Sequence, residues 1–124
     1  MGLFNVLTGS AACPSCGRVG TVRAQFKYGH TRQLEYRMGQ TLQWSGDYQR
    51  VPPRRMNDVG VPGRRYVVVD AIAETDCSSC GYGPSPDEWN LYVFLQGDRI
   101  VKLETADGSY DFLNAGQTFI VLED

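Results

Sequence analysis

Two copies of one short pattern, Cys-x-x-Cys-Gly, constrain this chain more than any other feature. They are Cys13-Pro14-Ser15-Cys16-Gly17 and Cys77-Ser78-Ser79-Cys80-Gly81, and they account for all four cysteines. Two intervening residues let both thiolates of a pair reach one ion at about 2.3 Å, while the tight turn aims backbone N–H groups at the sulfurs. The glycine after the second cysteine accepts a positive φ that a side chain would strain. Two such turns facing one another supply four sulfurs, close a tetrahedral site and leave no position open for a substrate. A closed thiolate set of this kind is structural, and zinc is its usual occupant.

Other uses of the cysteines fit less well. A thioredoxin-like redox motif needs one pair opening a helix. Here there are two pairs, and neither Gly17-Arg18-Val19-Gly20 nor Gly81-Tyr82-Gly83-Pro84 reads as a helix start. Disulfides require an oxidising compartment. Met1–Leu7 carries no basic residue ahead of its apolar part, which is not the pattern of a cleaved leader. Iron in a four-sulfur site uses the same ligands and stays open as the alternative metal. His30 is the only histidine; with four thiols in place it is expected at the surface or in a turn, not as a ligand.

The two pentapeptides resemble those of the zinc-ribbon group, in which one metal sits between two knuckles at the end of a β-hairpin or three-stranded sheet. The resemblance implies that Val19–Tyr28 is the strand leaving the first knuckle and Arg65–Thr75 the strand returning to the second. Sixty residues separate Cys16 from Cys77, against about 15–20 in the compact motif. The ribbon would therefore be one whose hairpin tip is expanded into further strands.

Period-two alternation, the mark of a half-buried strand, recurs along the chain. Val22, Ala24, Phe26 and Tyr28 share one face, and Leu34, Tyr36 and Met38 repeat the pattern. Thr41–Trp44 reads as a short strand. The stretch 45–65 is rich in Arg and Pro and reads as a surface loop. Tyr66–Thr75 opens on Tyr66-Val67-Val68-Val69, apolar on both faces, and is expected at the centre of a sheet. Ser85-Pro86-Asp87-Glu88 mimics one helical turn ahead of a strand over Trp89–Leu95. Gly97-Asp98 then turns into Arg99–Thr105. Further strands are expected over Ser109–Leu113 and Thr118–Leu122, giving a four-strand meander. The expectation is a single mainly β domain over 1–124, with seven or eight mostly antiparallel strands, a zinc-ribbon-like site of four cysteines and little helix.

Net charge is −2 but unevenly spread. Residues 1–69 hold ten Lys/Arg against three Asp/Glu, and 70–124 hold two against eleven, so the halves carry +7 and −9. Such a split reads first as an internal match between basic and acidic strands, and second as a basic binding face. No Gly-x-x-x-x-Gly-Lys loop, His-Glu-x-x-His or Gly-x-Ser-x-Gly occurs, so the chain reads as non-catalytic. The first functional reading is a zinc-stabilised module that recognises a protein partner in the manner of small cytoplasmic bacterial immunity or adaptor proteins. The alternative is nucleic-acid binding through Arg50, Arg54, Arg55, Arg64 and Arg65, flanked by Tyr48 and Tyr66; the acidic region from Asp70 onward opposes it. A third reading is a structural subunit of a larger assembly. Strand edges left open would allow self-pairing. Apolar runs such as Leu91–Leu95 are too short to cross a bilayer as a helix.

Overall fold

The computed structural model describes residues 4–31, 33–44, 58–77, 80–81 and 89–123. Nine strands and one helical turn occur among them: β1 Asn5–Ala12, β2 Val19–Phe26, β3 Gly29–His30, β4 Glu35–Arg37, β5 Asp58–Val59, β6 Tyr66–Ala73, β7 Asn90–Gln96, β8 Arg99–Thr105, α1 Phe112–Ala115 and β9 Phe119–Glu123. No helix among the described residues is long and apolar enough to cross a membrane.

The main sheet runs β4-β1-β2-β6-β7-β8, with β9 also on β6. Every pairing in it is antiparallel except β1 with β4. As its apolar run implies, β6 is central: β2 pairs its C-terminal half, β9 its N-terminal half, and β7 its other side. The ends of the sheet also meet. Gly39 N–H donates to the Ile100 carbonyl at 2.8 Å, and Ile100 N–H to Gln40 at 2.9 Å. Leu42 N–H donates to Asp98 at 2.8 Å, and Thr41 bridges Arg99. The segment leaving β4 is thus bonded to β8, which curls the sheet path β4-β1-β2-β6-β7-β8 into a ring.

Alternation places the core inside this ring. Leu7, Val22, Ala24, Phe26, Val67, Val69, Leu91, Val93, Leu95 and Ile100 are all almost fully buried in one cluster. Asn5, wholly buried, acts as a polar bracket at one end. Its Nδ2 donates to the carbonyls of Tyr28 and His30, both at 3.1 Å, and its Oδ1 accepts from Leu34 N–H at 3.0 Å. A buried amide whose donors and acceptor are all used fixes one crossing of the chain.

Four expectations change. His30 is buried, at 2 % exposure, because the β3–β5 pairing covers it, and its Nδ1 lies 3.3 Å from Asp58 Oδ1. Ser109–Leu113 is no strand: Asp111 caps the one-turn helix α1 by accepting from Asn114 N–H, and Gly116 ends it at φ +70°. Asp and Gly at the two ends of a turn override the weak strand signal between them. The meander therefore stops at β8, and β9 returns to β6. Within the 45–65 stretch, Asp58–Val59 forms β5; residues 45–57 lie outside the described residues, as does the helical turn expected over Ser85–Glu88. The internal charge match is present in two pairs that join the basic and acidic halves: Arg23 with Glu74 at 2.9 Å and Arg65 with Glu123 at 3.1 Å.

Candidate metal centre

The two strands expected to flank the cysteine turns are partners. β2 pairs β6 antiparallel, Ala24 opposite Ala73 and Phe26 opposite Ala71, and Glu74 N–H extends the ladder to the Arg23 carbonyl at 2.8 Å. The start of β2 and the end of β6 therefore lie at the same end of the ring, which sets the turn before β2 against the turn after β6. Cys13 directly follows β1, so three strands converge on the cluster.

Both turns close in the same way. Gly17 N–H donates to the Cys13 carbonyl at 2.9 Å and Gly81 N–H to the Cys77 carbonyl at 2.8 Å. The glycines sit at φ +75° and +77°. A Cβ would meet nothing within 4 Å at either position, so it is backbone conformation and not space that calls for glycine there. Ser15 N–H points to Cys13 Sγ at 3.4 Å.

The four Sγ atoms all lie within 4.8 Å of one another. Cys13 and Cys80 are 3.6 Å apart, and Cys16 and Cys77 are 3.7 Å apart. Both short contacts run between the two turns. A tetrahedron with metal–sulfur bonds of about 2.3 Å has edges of about 3.8 Å, whereas a disulfide would bring two sulfurs to about 2.05 Å. None of the four cysteines is joined in a disulfide. Spacing and donor chemistry thus suit one metal ion held by four thiolates. Cys13 and Cys77 are buried in the core cluster, while Cys16 and Cys80 are exposed; the centre sits at the rim, half in the core and half toward solvent.

Support for this end comes from residues that the cysteine pattern does not reveal. Trp89, 3 % exposed, belongs to the same buried cluster as Cys13 and Cys77. Its indole Nε1–H donates to Thr105 Oγ1 at 3.1 Å, and the Thr105 hydroxyl donates to the carbonyl of Ala12. Ala12 and Thr105 are 93 positions apart, so no local signal in the chain points to this contact.

The arginine group is elsewhere. Arg50, Arg54 and Arg55 lie outside the described residues. Arg64 and Arg65 stand just before β6, whereas Cys77 and Cys80 follow it, so eight strand residues, roughly 25 Å, separate them from the thiols. Arg65 pairs with Glu123 and lies over the Tyr66 ring at 5.7 Å. His30 is also remote from the cluster in the strand network, held between Asn5, Gln43 and Asp58.

Comparison with known proteins gives no match, whether among family descriptions, curated sequences or solved structures.

Proposed function

We propose that the protein is a non-catalytic binding module, stapled by one structural zinc ion, whose surface recognises a protein partner. Cys13, Cys16, Cys77 and Cys80 hold the ion as thiolates. The observation that carries this reading is the sulfur geometry: four thiols from two turns, spaced to fill the four positions of one tetrahedral ion. Bound there, zinc supplies charge and fixed geometry, not chemistry on a substrate. Zinc is favoured over iron because it is the common occupant of closed four-thiolate sites between paired turns, and the pairing of the strands next to the two cysteine turns supports a zinc-ribbon-like reading.

A protein partner is favoured over nucleic acid on charge. Arg65 is engaged by Glu123, and the half of the chain from Asp70 onward carries −9, which repels phosphate. An immunity- or adaptor-like role in the cytoplasm is the finer form of this reading. Affinity capture from the native cell, followed by mass spectrometry and by nucleic-acid analysis of the same eluate, tests it. A single protein recovered in stoichiometric amount supports the proposal. Recovery of nucleic acid alone, with oligonucleotide binding that weakens steeply as salt rises, would replace it with the nucleic-acid reading.

A further inference from the structure

β9 stands outside the ring path. It pairs with the N-terminal half of β6, and among the described residues no backbone group of Phe119–Glu123 bonds to a second strand. Its start is fixed in place. The Thr118 carbonyl accepts from Asp70 N–H at 2.8 Å, and the Thr118 hydroxyl donates to the Lys27 carbonyl at 3.1 Å. From there on, one side of the strand is bonded and the other is an edge.

Side-chain burial marks the same gap. Phe119 and Val121 pack against the main core, opposite Val69 and Val67 in the β6–β9 register. Val67 and Val69 have a strand on either side and are 2 % and 0 % exposed, whereas Phe119 and Val121 are only partly buried. On the outer face Ile120 is half-buried and Leu122 is 43 % exposed. Open edges are ordinarily guarded by lysine, proline or an inward charge. Phe119-Ile120-Val121-Leu122 carries none of these. The one charge on the strand, Glu123, lies at its end and pairs with Arg65 at 3.1 Å.

The edge is also complementary to itself. Antiparallel pairing of two copies about a two-fold axis through Ile120 sets Phe119 of each copy opposite Val121 of the other. Each half-covered core residue then gains an apolar neighbour on its open side. Thr118 meets Leu122, and Gln117 meets Glu123. Glu123 stands three residues from the axis in each copy, so the two carboxylates lie about 20 Å apart along the strands. A parallel, in-register pairing would set them side by side. The antiparallel interface is isologous and closes at two copies.

We infer that β9 is a dimerisation edge, covered by β9 of a second copy of this chain in an antiparallel pairing centred on Ile120. The inference goes beyond the protein-partner reading and stands independently of it.

The test uses the zinc-loaded full chain. Sedimentation velocity at rising chain concentration is expected to show a monomer–dimer equilibrium. In a mixture of 13C-labelled and unlabelled chains, isotope-filtered NOEs are expected between the Phe119 ring of one copy and the Val121 methyls of the other. Ile120→Lys and Ile120→Glu each bring like charges face to face at the axis and are each expected to weaken self-association about tenfold. An equimolar mixture of the two is expected to restore it. The NOE measurement needs no substitution and decides the matter should a variant unfold. A chain that stays monomeric at every concentration, or a dimer without those NOEs, would overturn the inference. So would folded Ile120→Lys that associates as tightly as the wild type, or a mixture no tighter than either variant alone. Protection of the β9 amides inside a monomer, by another segment of the same chain, would overturn it as well.

Discussion

Thr105, the last residue of β8, donates its hydroxyl to the carbonyl of Ala12, the last residue of β1 and the one before Cys13. Its oxygen also accepts from the Trp89 indole at 3.1 Å. One hydroxyl therefore joins the strand that leads into the first cysteine turn to the buried indole of Trp89, which belongs to the same core cluster as Cys13 and Cys77. Thr105→Val keeps the shape and deletes both bonds, leaving the buried indole N–H unpaired. The expected cost is about 1–3 kcal/mol, measured by denaturant unfolding of the metal-loaded protein. A variant as stable as the wild type would show that this tie does not support the metal end.

Gly60 lies against the ring of Tyr28. A Cβ there would sit within 2.6 Å of Tyr28 Cδ1 and Cζ, at a backbone φ of +95°. Tyr28 cannot yield easily: its ring meets Trp44 and Phe119 edge-on at 5.4 and 5.1 Å, and its hydroxyl donates to the Val61 carbonyl at 3.0 Å. Gly60→Ala thus combines overpacking with backbone strain. About 2–4 kcal/mol of destabilisation is expected, read as a fall in Tm of about 10 °C.

Glu74 links the second cysteine turn to the sheet. Partial burial pushes its carboxyl up, but hydrogen bonds from Gln25 and Arg23, with the Arg23 charge, outweigh that and hold it below its ordinary value of 4.5. A carboxylate depressed in the folded state stabilises above its unfolded pKa, and that stability is lost as pH falls through the folded value. Stability of the wild type should therefore drop as pH is lowered through 4.5 and below. Glu74→Gln should be less stable at neutral pH by no more than about 1 kcal/mol, because the site is partly solvated, and the two curves should converge in acid. Parallel curves across that range would assign the acid loss to other groups.

Much of the fold was legible because strand signals are local. The alternation at Val22, Ala24 and Phe26 and the doubly apolar Val67–Val69 run mark β2 and the central β6 directly. The cysteine spacing likewise anticipates the meeting of the two turns. Long-range relations were not legible. Nothing in Gly39–Leu42 announces that this segment bonds to β8 and closes the ring, and nothing in Gly29-His30 announces a partner at Asp58-Val59. β1 escaped a sequence reading because its residues, Asn5-Val6-Leu7-Thr8-Gly9-Ser10-Ala11-Ala12, mix small and polar types. Gly9 is small for a packing reason that only the structure shows: a Cβ there would reach 3.0 Å from Leu103 Cδ2.

The metal should also be coupled to the fold. Cys13 and Cys77 belong to the core cluster, and sixty residues separate the two turns, a loop whose closure is entropically costly. Cys77→Ser is expected to abolish stoichiometric metal binding and lower Tm markedly, yet by less than the roughly 10–16 kcal/mol of apparent binding energy seen in small finger peptides, because the ring has a core of its own. Calorimetry of the variant beside the wild type, with and without chelator, checks this. A chelator that lowers the Tm of the Cys77→Ser variant as much as that of the wild type would separate its effect from these thiols.

The most direct measurement is X-ray absorption at the zinc edge, with the metal content of the same purified sample. The expected result is about one zinc per chain, surrounded by four sulfurs at about 2.3 Å. A folded chain that carries no metal and four freely reactive thiols, or a zinc shell with fewer than four sulfurs, would contradict it.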